Sequence, residues 1–202
     1  MNAKVALNEG WDVIGYAYLI DNDDAPAFST NTFGIRLNGG FALGDGRAAV
    51  LADIARQADA SNAPDSFDAD YFRLQGMWTL DVLSLGIGYE SLGSDNGQGF
   101  RTPLATLHAF NGWADQFLGT ATGLDDLYVK AVYTLKPWSF QVVYHDFSAE
   151  TGDGDYGSEI DLSAGRALGQ RYKLLVKLAA FNADSTAYTD TTKAWLMLMA
   201  GY

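Results

Sequence analysis

The sequence predicts an all-β fold, an antiparallel transmembrane β-barrel of about 10 strands (10–12) with short turns at one end and long loops at the other. Three observations carry this expectation. Apolar and polar residues alternate with a period of two along most of the 202 residues. The connections between the alternating runs are by turns short and long. No run approaches the roughly 18 consecutive apolar residues that a membrane-crossing helix needs. A barrel strand faces lipid and lumen in turn, so 48% apolar residues and a mean hydropathy of −0.06 are compatible with a membrane protein of this kind.

Alternation places ten full strands at 11–21, 30–43, 47–57, 70–80, 82–92, 125–135, 138–148, 158–168, 171–182 and 191–202, with a short lead-in at 3–7. In 32–43, Phe33, Ile35, Leu37, Phe41 and Leu43 share one face, and Thr32, Arg36 and Asn38 share the other. In 83–90, Leu83, Leu85, Ile87 and Tyr89 oppose Ser84, Gly86, Gly88 and Glu90. Short turns fall at Asn8-Glu9-Gly10, Gly44-Asp45-Gly46, Asp81, Lys136-Pro137 and Gly169-Gln170, and long polar loops at 22–29, 58–69, 93–124, 149–157 and 183–190. Pro26, Pro64, Pro103 and Pro137 all lie in connections, where no ladder hydrogen bond is lost. Ten strands, an even number, are expected to close with 11–21 against 191–202; a lead-in that forms a true eleventh strand would instead leave an edge. A soluble β-sandwich binding module also alternates, but it would keep its charges outward. Here one face is apolar on nearly every strand, and the other carries Arg36, Asp53, Arg73, Glu90, Lys130 and Asp161, which a dry core could not bury cheaply.

Charge refines the picture. Net charge of −12 excludes a nucleic-acid partner. Most of the acidic residues fall in the long loops or at their strand ends, Asp126 and Glu159 among them, which makes an acidic outer mouth. The lumen face carries Asp12, Asp53, Glu90 and Asp161 against Arg36, Arg73, Lys130, Lys173, Lys177 and Lys193, and all of these but Asp12 are pore-lining candidates. This distribution would concentrate cations at the entrance and order small solutes or ions along the wall. The loop acids also suit divalent cations bridging to outer-membrane lipid and lipopolysaccharide. Asp23, Asp24, Asp153 and Asp155 are weak Ca²⁺ candidates, although neither run has the EF-hand spacing. No cofactor is expected: cysteine is absent, and there is no phosphate-binding glycine loop.

Loop 93–124, about 32 residues, is too long for an idle connection. Residues 104–118 are expected to form a short amphipathic helix, with His108, Phe110, Trp113 and Asp115 as constriction-loop candidates. The loop either folds into the lumen or caps the rim. His145 and Asp146 are adjacent on a strand and so point to opposite faces, which speaks against a catalytic pair and against an enzyme. The last residues, Ala194, Leu196, Leu198, Ala200 and Tyr202, alternate to a terminal aromatic, resembling the signal read by the outer-membrane barrel assembly machinery. Met1-Asn2-Ala3-Lys4 shows no apolar signal-peptide core, so a mature or excised form is expected.

Longer segments carry a family resemblance. YAYLIDNDDAPAFSTNTFGIRLNG (16–39), GYESLGSDNGQGFRTPLATLHAFNGWADQFL (88–118), GLDDLYVKAVYTL (123–135), VVYHDFSAETGDGDYGSEIDLSA (142–164) and the closing strand resemble the C-terminal part of alginate-export-type outer-membrane porins. The loop 102–117 is the most specific of these segments. The resemblance implies a bacterial outer-membrane channel for ion or small-solute transport, with a polysaccharide as one solute class. A plugged or structural barrel with surface-binding loops is the alternative. Family barrels are larger, so the resemblance also implies that this single domain, 1–202, supplies part of one. The chain is expected to require detergent or lipid and to give a β-rich circular dichroism spectrum; a helical spectrum, or a monodisperse detergent-free form, would return the soluble sandwich to first place.

Overall fold

Residues that alternate in this way can bury nothing as helices, because a period of two puts apolar side chains on every side of a 3.6-residue turn. The computed structural model describes residues 1–105, 107–117 and 119–201 and contains the expected strands. They are β1 (Asn2–Asn8), β2 (Trp11–Ile20), β3 (Thr30–Leu43), β4 (Gly46–Asp59), β5 (Asp68–Leu80), β6 (Leu83–Leu92), β9 (Leu124–Leu135), β10 (Trp138–Ser148), β11 (Asp155–Leu168), β12 (Tyr172–Ala183) and β13 (Thr191–Ala200). Between β6 and β9 lie a small hairpin, β7 (Ser94–Asp95) with β8 (Gln98–Gly99), and one 3₁₀ turn at Leu107–Ala109. The terminal aromatic Tyr202 lies outside the described residues.

These strands make one 11-stranded antiparallel sheet in which every neighbour in space is the neighbour in sequence, the β7–β8 hairpin aside. Most main strands run 10 to 14 residues, enough to cross a bilayer at a tilt, where about 9–11 suffice. Short turns reverse the chain at one end. Gly44 takes φ +60 and Asp81 takes φ 50, the left-handed backbone that tight hairpins require. The long loops gather at the other end.

The expected ten-strand closure does not occur. β2 is flanked by β1 and β3, so residues 11–21 have no free edge to offer residues 191–202. The lead-in is a true strand: Ala3 pairs with Gly15, Lys4 with Ile14 and Val5 with Val13. Among the described residues, β1 and β13 each pair on one side only and form the edges of the sheet.

Register decides what each face carries. Arg36 stands opposite Asp53, Asp53 opposite Arg73, Arg73 opposite Glu90 and Glu90 opposite Asp126, a single rung of charge across β3, β4, β5, β6 and β9. On the reverse face stand Phe33, Ile35, Ile54, Phe72, Leu74, Ile87, Val129, Val142, Ile160, Leu162, Val176 and Leu196, all exposed. An apolar face of this extent cannot rest in water, and lipid covers such a face in outer-membrane barrels. The packed apolar core is correspondingly small and sits where the long loops fold over the polar face: Leu124, Phe147, Tyr156 and Phe181 with Trp113 and Phe117, and separately Ala55, Phe67, Ala69 and Phe100.

The two faces should answer substitution differently. Ile87, 57% exposed on the apolar face, changed to Arg should lower stability in phospholipid vesicles by about 2–4 kcal/mol. Gln141→Arg, on the polar face of β10, should cost well under half of that. Urea unfolding in vesicles measures both, and equal costs would contradict the assignment of faces.

Candidate constriction of a channel

Hydrogen bonds hold the rung residues in place, although among the described residues Arg36–Asp53 alone joins two of the rung's own charges. Asp53, fully buried, receives Arg36 through Nη2 at 2.6 Å and through Nε at 2.8 Å, and accepts the Tyr16 hydroxyl at 2.9 Å. Arg73 donates to Gln75 Oε1 at 2.8 Å and to the Tyr128 hydroxyl at 3.3 Å. Glu90 accepts the Tyr71 hydroxyl at 2.5 Å. Lys130 is half-buried on the same face of β9. Opposite-charge cross-strand pairs of this kind contribute roughly 0.2–1 kcal/mol each.

Beyond Glu90 the wall turns acidic and buried. Asp126 holds His145 Nδ1 at 2.8 Å, and His145 Nε2 lies 3.8 Å from Asp161 Oδ2. Asp126, Glu159 and Asp161 are each at most 1% exposed. The expectation that Asp126 and Glu159 belong to the outer mouth is therefore corrected. Both are in phase with the inward positions of their strands, Asp126 with Lys130 and Glu159 with Asp161, and parity outranks nearness to a strand end.

The long loop lies on this wall. It does not contain the expected amphipathic helix over 104–118. The described part has a single 3₁₀ turn at Leu107–Ala109, followed by left-handed residues at Asn111 (φ 53), Gly112 (φ 82) and Asp115 (φ 54), which break any helix; Leu118 lies outside the described residues. The described part of the loop packs on the polar face of the sheet. Arg101 N–H donates to Gln57 Oε1 at 2.8 Å, and the Phe110 ring sits 5.5 Å from the Arg73 guanidinium. Asn111 Nδ2 reaches Glu90 at 3.2 Å and Asp126 at 3.3 Å. The Trp113 and Ala114 N–H groups donate to Asp161 at 3.2 Å and Glu159 at 2.7 Å. Phe117 packs against Phe147 with ring centroids 4.5 Å apart.

A second dock joins the loop to β12 and β13. Lys193 Nζ meets Asp115 Oδ2 at 2.9 Å, Asp115 Oδ1 meets His108 Nδ1 at 2.8 Å, and His108 Nε2 faces Lys177 Nζ at 2.8 Å. Lys177 Nζ stands 3.7 Å from the Trp113 ring centroid, a cation–π contact. Burial pushes the Asp115 carboxyl up, but the hydrogen bonds from Lys193 and His108 outweigh it and hold the group below its ordinary value. Asp115 thus stays anionic, and the dock charged, across the neutral range.

Lys173 is not part of this assembly: it pairs with Ala167 and Met199 near the short-turn end. The Ca²⁺ candidates are not brought together either. Asp23 and Asp24 lie in the loop between β2 and β3, Asp153 and Asp155 in the loop before β11 or at its start, and no group of three or more His, Asp or Glu is arranged to hold a metal ion among the described residues.

Between the rung and the loop lies a cavity of about 260 Å³, bounded by Tyr16, Arg36, Tyr71, Arg73, Glu90 and Phe110, with Arg101 and Asn111 at its rim. Sequence reasoning missed Tyr16, Tyr128 and Asn111. The tyrosines shared the inward phase of the charged residues and were legible by that signal; Asn111 carried none.

No protein-family model and no curated protein matches the sequence. Solved structures do match in shape. OccK5 (OpdH) of Pseudomonas aeruginosa superposes with a TM-score of 0.77 at 12% identity, covering 100% of this chain and 57% of that one. The fold is that of OprD/Occ outer-membrane barrels. OccK9 (OpdG) gives 0.76 at 16% identity over 98% of this chain and 52% of that one. OpdK of the same organism, solved with vanillate, gives 0.75 at 15% identity over 98% and 55%. The chain spans little more than half the length of the OprD/Occ structures it matches.

The resemblance to alginate-export porins is overturned by this match. The segments that carried it are mostly alternating strand with a polar loop attached, a pattern that lipid on one side and water on the other impose on any outer-membrane barrel.

The network makes a stability prediction. Asp53→Ala leaves the Tyr16 hydroxyl and Arg36 without their acceptor and should cost about 1–3 kcal/mol in urea unfolding from vesicles. The lower end is expected, because the Arg36 side chain is 41% exposed and can turn to water. Asp53→Asn keeps one acceptor and should lose less; no loss in either variant would remove the network from the wall's stability.

Proposed function

We propose that this chain forms wall and constriction of a channel in the bacterial outer membrane, passing small hydrophilic or ionic solutes passively and without catalysis. The observation that carries the reading is the placement of Arg101 and of residues 111–115 on the polar, charged face of the sheet, bonded to Gln57, Glu90, Asp126, Glu159, Asp161 and Lys193. A loop that only capped the rim would leave those wall groups to water. The OprD/Occ fold supports the same reading.

The chemistry of the cavity narrows the solute. Arg36, Arg73 and Arg101 line it with Tyr16, Tyr71 and Phe110, beside the carboxylates of Asp53 and Glu90, each already bonded to a neighbour. Guanidinium groups pair with carboxylates in fixed fork geometry, and the rings offer flat apolar contact. Small carboxylates, including aromatic ones, fit this lining; the vanillate in the OpdK structure is of that class. A long anionic polymer does not fit a cavity of about 260 Å³.

Planar-bilayer recording tests the proposal. Deleting residues 100–118 should raise single-channel conductance severalfold. Millimolar vanillate should reduce wild-type current, and Arg73→Gln should relieve that block. Well-folded protein that never conducts would turn the reading to a plugged barrel, which the many loop-to-wall bonds would equally suit.

A further inference from the structure

Glu159 and Asp161 stand two residues apart on the inward face of β11, both fully buried. Each gives one oxygen to the loop backbone: Glu159 Oε1 accepts the Ala114 N–H at 2.7 Å, and Asp161 Oδ2 accepts the Trp113 N–H at 3.2 Å. The remaining oxygens, Glu159 Oε2 and Asp161 Oδ1, have no hydrogen-bond partner among the described residues. A carboxylate sealed from water with half its acceptor capacity idle is costly, so what the other half holds must be worth keeping.

The loop is shaped to reach these two groups. Asn111 and Gly112 are consecutive left-handed residues, which turns the N–H groups of 113 and 114 toward one side and makes a small anion-receiving concavity of backbone. Gly112 suits the left-handed φ of +82, and a side chain there would displace the Glu159 carboxylate. A Cβ at that position would lie 2.5 Å from Glu159 Oε2. Around the pair stand Asp126 of β9, His145 of β10 and Lys177 of β12, while Asn111 ties Glu90 and Asp126 to the same turn.

We propose that Glu159 and Asp161 are positioning residues: they fix the 111–114 turn against the β11 wall and so set the aperture of the channel. The proposal rests on the channel reading above. These two carboxylates hold the turn through its backbone, so they act whatever side chains the loop presents. The Lys193–Asp115 dock is more exposed, at 36% and 27%, and holds a side chain whose own stem can swing. Releasing the backbone latch therefore moves the turn, and releasing the lysine dock alone does not.

The test uses the complete protein folded into lipid vesicles, with hydrogen exchange of amides 111–117 read by mass spectrometry and conductance read in bilayers. In the double variant Glu159→Ala with Asp161→Ala, the amides of 113 and 114 should exchange about tenfold faster or more, and the conductance step should change. Glu159→Gln with Asp161→Asn keeps a carbonyl acceptor at each site and should restore both readings to within about threefold of wild type. Gly112→Val leaves β11 intact and should reproduce the release, which keeps the question open to measurement if the double alanine variant does not fold. Unchanged exchange in both the alanine and valine variants overturns the latch. Faster exchange with an unchanged conductance step shows a latch that does not set the aperture, and overturns the proposal while leaving the channel reading intact. A silent wild type removes the channel reading, and the exchange comparison then decides the positioning role by itself.

Discussion

The antiparallel register is the constraint on which everything else depends. Because side chains alternate with a period of two, sliding any strand by one residue would exchange its faces entirely. Arg36, Asp53, Arg73, Glu90 and Asp126 would enter lipid, and Phe33, Ile54, Phe72 and Val129 would enter the lumen. Placing one Arg or Lys at the bilayer midplane costs about 2–4 kcal/mol and an acid somewhat less, so a slipped strand is penalised by each charge it carries outward. Correct register, by contrast, lines the charges up as one cross-strand rung and lets Tyr16 and Tyr71 complete it from the same face. The wall is specified as much by what lipid refuses as by what the lumen accepts.

On that wall the charges divide into two territories. From β3 to β5 the cations lead: Arg36 and Arg73 border open space, with Asp53 buried beneath them. From β6 to β11 the acids lead, and they are spent on the loop, taking Asn111 and the backbone of Trp113 and Ala114. The cavity therefore has guanidinium groups on one side and a loop-covered, acidic wall on the other. The net acidity of the chain describes its loops and hidden wall better than the surface of the cavity.

The strands were legible because lipid and water each impose their signature on every second residue. Observed ends such as Thr30–Leu43 and Trp138–Ser148 coincide with those read from alternation. Inward charges such as Arg36, Arg73 and Asp161 were legible for the same reason. Asp126 and Glu159 were in phase too, and were misplaced by weighing their distance from a strand end above their parity. The loop was harder in kind. Its docking runs through the N–H groups of Trp113 and Ala114, which every residue but proline possesses, and through left-handed turns at Asn111 and Asp115, which side-chain periodicity cannot register. β1 was short enough to pass for a lead-in. The family resemblance failed because a pattern forced by the membrane is common to outer-membrane barrels in general.

The eleven-stranded sheet has a property that follows from counting. Neighbours alternate in direction, so β1 and β13, first and eleventh, run the same way. If they met directly, the seam would be the one parallel pairing in an otherwise antiparallel wall. A second copy of this chain, inserted with its long loops facing the same way, would present the same mismatch at both seams, giving a ring of even strand number that is nonetheless wrongly joined. An antiparallel closure of this wall takes an odd number of strands set between its two edges, whatever polypeptide supplies them.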